Sequence, residues 1–258
     1  MLGLGNSLVS GAALDEFGIN HSIRFDGSND EINFTTPGLQ TALNASNANF
    51  KTSGSVSIWA RFENTSSNGQ LWDFCIDTNN RIQLQYKHSD DKLTFTFKGG
   101  STSKLTNYDP SSGLEDDGNF HHIVCTWDGT TAKLYVDGTG RDQVDIEGVE
   151  LDGDFDDTAG ATGVEFIQGT SFNGNADFNG FLDDFAIYSD VLSASNVTSL
   201  YNSGTSDQTS VAKVGTIIAH WTFNEGTGNT VTDRINGYVG TFGTGGNAPT
   251  FSTTNAGG

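Results

Sequence analysis

The densest group of oxygen ligands in the sequence lies between positions 142 and 157. Its acidic residues are Asp142, Asp145, Glu147, Glu150, Asp152, Asp154, Asp156 and Asp157. Carboxylates in a glycine-broken loop suit Ca²⁺, which takes about six to eight oxygen ligands. The spacing does not match an EF-hand, because no Glu stands at the twelfth loop position after a DxDxDG start. We therefore interpret this stretch as a solvated acidic loop.

The histidines show no spacing typical of a metal or nucleophile site. His121 and His122 are adjacent, and neighbouring side chains of a strand point to opposite faces, so the two cannot share one ion. The other histidines, His21, His88 and His220, stand near no Ser or Cys nucleophile pattern. The sequence therefore favours structural roles for them.

The charge balance of the chain excludes several classes of partner. The formal net charge is −20, with 12 Lys plus Arg against 32 Asp plus Glu. Such a chain repels nucleic-acid phosphates and anionic lipid heads, so we expect no nucleic-acid and no membrane partner. Residues 1–20 show no basic start before an unbroken apolar stretch, which predicts no secretory signal. Cys75 and Cys125 form no CxxC motif, and we expect free thiols packed in strands.

Alternation of apolar and polar residues at a period of two predicts many short strands. The segments that show it are 21–26, 55–63, 81–87, 92–98, 121–127, 132–136, 164–168, 180–188, 216–223 and 237–242. The Asp128-Gly129 pair is typical of a hairpin turn, because Asp-Gly tolerates positive φ. One helix is predicted over Leu192–Tyr201, with Ser193 as its N-cap, and we expect it to cover one end of a sandwich. This pattern favours an all-β fold of two antiparallel sheets.

Four segments, taken together and in order, resemble one family. They are SIRFDGSND at 22–30, SVSIWARF at 55–62, NFHHIVCTWDGTTAKLYVDG at 119–138, and NGFLDDFAIY at 179–188 with the helix that follows. They are similar to the laminin-G-like modules of the concanavalin A-like lectin/glucanase group, and the hairpin string is the most specific match. The resemblance covers about residues 20–202. It implies a two-sheet antiparallel jelly-roll sandwich with one short helix.

The resemblance divides the chain into three parts. Residues 1–20 form an N-terminal arm, 21–203 the laminin-G-like jelly roll, and 204–258 a linker with C-terminal strands. Residues 218–232 (IAHWTFNEGTGNTVT) resemble a segment that usually opens such a module. Two or three strands form no stable core alone. They must pack on the same sandwich or on a neighbouring subunit, which we favour, or be the stub of a second module.

The resemblance also implies where an ion or a catalytic pair would lie. A structural Ca²⁺ ion is expected near Asp183, with flanking backbone carbonyls and Asp26 or Asp30 as further ligands. The laminarinase branch carries Glu-x-Asp-x-x-Glu on a strand, which supplies two carboxylates across a glycosidic bond. The nearest string here, ELDGD at 150–154, lacks the second Glu and any strand alternation. We therefore expect no catalytic residue and no enzymatic activity.

Sugar or partner binding needs exposed aromatic rings beside polar groups. The polar segment 98–110 is predicted to be a flexible loop of the kind in which recognition residues occur. The candidate contact residues are Trp59 and Trp72 as aromatic platforms, and Lys104, Asn107 and Tyr108 in that loop.

Three functional hypotheses follow. The first is a non-enzymatic structural or interaction protein of a phage virion, either a capsid decoration or a tail-associated module, made in the host cytoplasm without a signal peptide. The layout of an MLGLGNSL start, one laminin-G-like unit and a trailing WTFNEG segment resembles virion proteins of marine tailed phages. Its partners would be other virion proteins and further copies of itself in a homo-oligomer. The alternative is a lectin-like module that binds host cell-surface polysaccharide. A glycan hydrolase is disfavoured because the carboxylate pair is missing.

Overall fold

The computed structural model describes residues 21–45, 49–64, 67–110, 113–115, 117–155, 165–172, 174–207, 211 and 214–257. The predicted N-terminal arm, residues 1–20, lies outside the described residues, as do Asp156 and Asp157 of the acidic stretch. Among the described residues, no helix has the length and apolar character needed to cross a membrane.

Strands are the main secondary structure of the described chain, and two short α-helices interrupt them. In chain order the elements are β1 (Ser22–Asp26), β2 (Ile32–Asn33), α1 (Pro37–Asn44), β3 (Gly54–Phe62), β4 (Gly69–Asp77), β5 (Asn80–Lys87), β6 (Lys92–Gly99), β7 (Thr102–Tyr108), β8 (His121–Trp127), β9 (Thr131–Val136), β10 (Thr139–Asp145), β11 (Glu165–Gln168), β12 (Asn179–Tyr188), α2 (Ala194–Tyr201), β13 (Ile217–Trp221), β14 (Thr230–Thr232), β15 (Val239–Phe242) and β16 (Thr250–Ser252).

The strands form two sheets that pack face to face. The first sheet has the order β10-β9-β8-β3-β12-β1-β16, and β13 pairs with the C-terminal half of β12. The second has the order β14-β15-β2-β11-β4-β5-β6-β7. The described strand pairs in both sheets are antiparallel. This arrangement is a jelly-roll sandwich, as the sequence predicts.

An aromatic core lies between the sheets. Trp127 of β8 is fully buried, and its ring meets the Phe50 ring edge to face at a centroid distance of 4.6 Å. Its indole N–H donates to the Phe50 carbonyl at 2.8 Å, so the one polar atom of this side chain is satisfied. Cys75 and Cys125 are buried free thiols in β4 and β8, as predicted.

The sequence predicts one of the two helices, α2, but not the other, α1. α2 begins after Ser193, whose side chain and that of Asn196 form a capping box, so the predicted N-cap is confirmed. We expected this helix to cover one end of the sandwich, and the structure corrects that expectation. The helix packs on the outer face of the first sheet, where Val197 and Leu200 join a second apolar cluster. α1 was not predicted, although Thr36 is its N-cap and Pro37 stands at its start.

The C-terminal strands complete the same sandwich. β13 and β16 extend the first sheet, whereas β14 and β15 extend the second. Trp221 of β13 is fully buried and stacks on Phe185 of β12 at a centroid distance of 5.5 Å. The segment 214–257 therefore shares the core of the preceding module.

The period-two pattern missed six strands. Three of them, β2, β14 and β16, have only two or three residues, and the three longer ones were missed for two opposite reasons. β7 and β10 are edge strands with mostly exposed side chains, so their composition is that of a loop. The prediction of a flexible loop is therefore wrong at 102–108, and the prediction of an acidic loop is wrong at 142–145. β4 is buried on both faces, so apolar and polar residues do not alternate along it.

Candidate functional site

A row of charged and aromatic side chains crosses the middle of the first sheet on its outer face. Arg24 of β1 and Arg61 of β3 stand on either side of Phe181 of β12 in the strand register. Directly opposed side chains in such a sheet lie about 5 Å apart at Cβ. The guanidinium carbons lie over the Phe181 ring, at 5.2 Å for Arg24 and 4.7 Å for Arg61.

One carboxylate holds the two guanidinium groups together. Arg24 Nη2 donates to Glu63 Oε2 at 2.8 Å, and Arg61 Nη2 donates to Glu63 Oε1 at 3.2 Å. The three side chains keep 25–30% of their surface exposed. The group therefore combines a fixed geometry with N–H and carboxylate oxygen atoms that reach solvent.

An open pocket of about 330 Å³ lies beside this group, within the range of about 300–1,000 Å³ of small-molecule sites. Its lining residues are Arg61, Phe62, Glu63, Asn64 and Gly118. We call the lining residues together with Arg24, Phe120 and Phe181 the arginine pocket. Phe120 is half-buried and meets the Phe181 ring edge to face at 6.4 Å.

The loop formed by residues 117–120 makes one wall of the arginine pocket. His121, at the start of β8, fixes this loop because its Nε2 contacts Asp117 Oδ2 at 3.0 Å and its Nδ1 contacts Asp137 Oδ2 at 2.8 Å. Burial alone lowers the pKa of His121, but the two carboxylates outweigh it and raise that pKa above its usual value.

The outer face of the second sheet carries a different polar group, which we call the Asp73 row (Asp73, Arg81 and Gln83). Asp73 of β4 is only 1% exposed, and Gln83 stands opposite it on β5. Arg81 Nη1 lies 3.7 Å from Asp73 Oδ2. Among the described residues, Asp73 Oδ1, Gln83 Oε1 and Arg81 Nε have no hydrogen-bond partner. Burial raises the pKa of Asp73 to about 6, against the opposing effect of Arg81.

The comparison with known families is decisive for the class of the protein. The family model described as Concanavalin A-like lectin/glucanases superfamily (Laminin_G_3) matches residues 25–198, which is more than half of the chain. The chain belongs to this family. It is a laminin-G-like module, and the match contains every residue of the arginine pocket except Arg24, which immediately precedes it. A comparison with curated proteins gave no match.

Several solved structures share the fold of this laminin-G-like module. A candidate carbohydrate binding protein from Bacteroides ovatus ATCC 8483 matches with a TM-score of 0.60 and 14% identity, over 92% of this chain and 61% of that one. The CBM40 domain of the Ruminococcus gnavus IT-sialidase matches at 0.52 and 14%, over 70% and 96%. Domain 4 of AbnA, a GH43 extracellular arabinanase from Geobacillus stearothermophilus, matches at 0.51 and 17%, over 70% and 76%. The module thus spans about three fifths of the Bacteroides protein's length.

The two tryptophans predicted as exposed platforms are both buried, which corrects that expectation. Trp59 lies on the outer face of the first sheet, but Tyr201 of α2 stacks on it at 6.0 Å and leaves it 2% exposed. Trp72 lies in the core, where its ring contacts Phe74 at 5.5 Å. A register irregularity in β4 between Gln70 and Trp72 accompanies this inward orientation.

The three predicted contact residues of the second sheet belong to strand β7. Asn107 accepts a hydrogen bond from the Thr94 hydroxyl at 2.9 Å, and its backbone N–H donates to Asp142. Strand alternation places Lys104 and Tyr108 on the opposite face from Asn107. The residues are therefore divided between two faces of an edge strand, and they lie on a different sheet from the arginine pocket.

The predicted calcium ligands do not come together in the structure. Asp26 pairs with Asn179 on β12, so Asp183 lies four positions further along that strand, about 13 Å away at strand rise. Both oxygens of the buried Asp183 carboxylate accept backbone N–H groups, from Asp184 and Ala256. Asp30 accepts the Asp26 N–H at 2.8 Å. Across the described ranges, no cluster of three or more His, Cys, Asp or Glu side chains is arranged to hold an ion. These residues do not fit the expected calcium site.

The acidic string considered for catalysis lies in an exposed segment after β10. Glu150, Asp152 and Asp154 are exposed, and Asp154 forms an ion pair with Lys51. These carboxylates therefore belong to a solvated segment rather than to a strand face.

The sequence patterns do not identify Arg24 and Arg61 as site residues, although both lie in segments that carry the family resemblance. Each occupies an outward position of an alternating strand, which is the only local signal that could have found it. Their proximity depends on β12, which pairs between β1 and β3 and comes from a distant part of the chain.

Proposed function

We propose that this laminin-G-like module is a non-catalytic, lectin-like protein that binds saccharides in the arginine pocket. The observation that carries the proposal is the shared Glu63 carboxylate. It holds two guanidinium groups side by side over Phe181, at the rim of a 330 Å³ pocket.

The chemistry of the pocket suits a polyhydroxylated ligand. A sugar hydroxyl can donate one hydrogen bond and accept others, and the pyranose ring also has an apolar face. Guanidinium N–H groups of Arg24 and Arg61 can donate to sugar oxygens, and Glu63 can accept from hydroxyls. The half-buried Phe120 ring offers an apolar surface beside them.

The saccharides bound by structural neighbours support this proposal. The Ruminococcus gnavus CBM40 domain was solved bound to α2,3-sialyllactose, and the AbnA domain in complex with arabinotriose. The Bacteroides ovatus protein is described as a candidate carbohydrate binding protein. The structural neighbours and the chemistry of the pocket therefore both support saccharide binding.

A non-catalytic role is supported by the carboxylates of the pocket. Hydrolysis of a glycosidic bond generally needs two carboxyl groups, about 5–9.5 Å apart, on either side of the bond. Among the described residues that line the pocket, Glu63 is the one carboxylate, and two arginines already hold it.

A glycan array tests the proposal, with sialylated, arabinose-containing and bacterial surface saccharides as probes. We expect wild-type protein to bind at least one probe, and Arg61→Ala to lose about tenfold or more in apparent affinity, because hydrogen bonds to charged groups are lost. The matched control is Lys133→Ala, on β9 of the same sheet, which should bind like wild type. Absence of binding by wild type, or equal binding by Arg61→Ala, would contradict the proposal.

We further propose that this binding takes place on a phage virion, in a capsid decoration or tail-associated module that contacts other virion proteins and its own copies. The layout of the sequence supports this setting. The two buried, unpaired cysteines also suit a protein folded in a reducing host cytoplasm. Mass spectrometry of purified particles tests it: peptides of this chain in intact virions are expected, and their confinement to the lysate supernatant would contradict it.

A further inference from the structure

The imidazole of His121 links the wall of the arginine pocket to the sheet. Asp117 folds the 117–120 loop by accepting the Asn119 N–H at 2.8 Å, and its other oxygen contacts His121 Nε2 at 3.0 Å. On the far side of the ring, His121 Nδ1 contacts Asp137 Oδ2 at 2.8 Å. Asp137 is itself anchored, because its Oδ1 accepts the His122 N–H at 3.0 Å.

The geometry of this bridge requires a particular protonation state. Ionised carboxylates only accept hydrogen bonds, and a neutral imidazole has one N–H donor and one lone pair. A neutral His121 would therefore turn a lone pair towards either Asp117 or Asp137. Only the imidazolium form donates to both carboxylates, and such charge-assisted hydrogen bonds are the stronger kind.

We propose that His121, as an imidazolium ion, is the positioning residue of the arginine pocket, which holds the 117–120 loop in place and releases it on deprotonation. The loop contributes Gly118 to the pocket lining and Phe120 to the contact with Phe181. The effect on saccharide affinity rests on the proposed function, whereas the tethering of the loop does not.

Among the described residues, the charged groups that face His121 are Asp117 from the loop and Asp137 from the turn between β9 and β10. Strand β3 presents Ala60 to it in the register, and the adjacent His122 is buried on the opposite face. Burial lowers the pKa of His122 to about 3, so it stays neutral in this range. Because the pKa of His121 is raised, the tether is complete below about pH 6.5 and is lost as the pH rises through the folded-state pKa.

Nuclear magnetic resonance without any saccharide tests the tether. The pH is raised from 6 until the His121 ring signals report deprotonation, while order parameters are measured at Gly118, Asn119 and Phe120. We expect these to fall from about 0.85 to below about 0.6, with loss of the ring contact between Phe120 and Phe181. Rigid loop residues and an intact ring contact after His121 has deprotonated would overturn the proposal.

Variants test whether the pH effect on the 117–120 loop arises from the contact between Asp117 and His121. Asp117→Asn removes the loop-side carboxylate at the surface, so its loop should be mobile at pH 6 and show no pH step. His121→Gln should behave in the same way if it folds. The control is Asp128→Asn, at the opposite end of the β8–β9 hairpin, which should keep the wild-type step. A wild-type pH step that persists in Asp117→Asn would also overturn the proposal. A failed glycan array would instead refute saccharide binding and leave the tether standing.

Discussion

The arginine pocket and the Asp73 row are both polar groups on outer sheet faces, but their charges are placed in opposite ways. In the arginine pocket, the side chains of Arg24, Arg61 and Glu63 are paired and remain 25–30% exposed. In the Asp73 row, the Asp73 side chain has no exposed surface and its guanidinium partner lies 3.7 Å away.

From this difference we infer that the arginine pocket can bind a ligand, whereas the Asp73 row affects the stability of the fold. Exposed, paired charges contribute little to folding, so they are available for new hydrogen bonds to a ligand. A buried carboxylate with incomplete hydrogen bonding costs folding free energy and shifts its own pKa. We therefore expect substitutions in the arginine pocket to alter binding, and substitutions in the Asp73 row to alter the pH dependence of stability.

The largest effect is expected for Gly180→Ala, beneath the arginine pocket. Gly180 has φ of 153°, and an added Cβ would stand 2.2 Å from the Arg61 carbonyl oxygen. The clash would separate β12 from β3, so we expect a loss of about 3 kcal/mol or more in the free energy of unfolding. Thermal and urea unfolding measure it. Gly246→Ala, where a Cβ meets nothing within 4 Å, should be neutral, and equal effects would refute the explanation.

The next largest effect is expected for Asp73→Asn. The pKa of Asp73 rises from 3.8 to about 6 on folding, so the folded state binds the proton more tightly than the unfolded state. Wild type should therefore lose about 2 kcal/mol at this site as the pH rises from 4 to 7. The variant should lack that loss.

Urea unfolding across this pH range measures the difference between the two proteins. Asp109→Asn is the control, because its carboxylate is exposed. If the free energy of unfolding of the variant depended on pH in the same way as that of wild type, folding would not raise the pKa of Asp73.

A smaller effect is expected for Glu63→Gln, which removes the charge that pairs the two arginines. Binding to a saccharide identified on the array should weaken by about tenfold, because the acceptor is weakened and the guanidinium groups lose their alignment. The free energy of unfolding should change by less than about 1 kcal/mol, because the pairs are partly exposed. A variant that lost stability but kept binding would reverse the assigned roles of the two regions.

The smallest effect is expected for Lys104→Ala on β7. Lys104 lies on the second sheet, and its side chain faces away from the Asn107 side. Binding and stability should both match wild type within error. Weakened binding would move the site from the arginine pocket towards this edge strand.

Much of the fold follows from the sequence because local signals carry it. Alternation along β5 marks one buried face, and the Ser193 capping box marks the start of α2. Strands without such contrast are not predicted, because β4 is buried along nearly its whole length and β10 is mostly exposed. The alternation in β3 separates Trp59 from the core face, but it does not show that α2 covers it.

The site depends on information that local patterns lack. Arg24 and Arg61 meet only because β12 pairs between their strands, and this register is set by contacts between distant segments. The expected calcium ligands also depend on the strand register, which local patterns do not give. Asp26 and Asp183 belong to family-like strings on paired strands, and the register keeps them apart.

The most direct test of saccharide binding in the arginine pocket is chemical-shift mapping of the arginine side-chain Nε–H signals during titration with an array-identified saccharide. Saturable shifts are expected at Arg24 and Arg61, with the Arg81 signal unchanged. Shifts centred on Arg81 and Gln83, with Arg24 and Arg61 unaffected, would contradict binding in the arginine pocket.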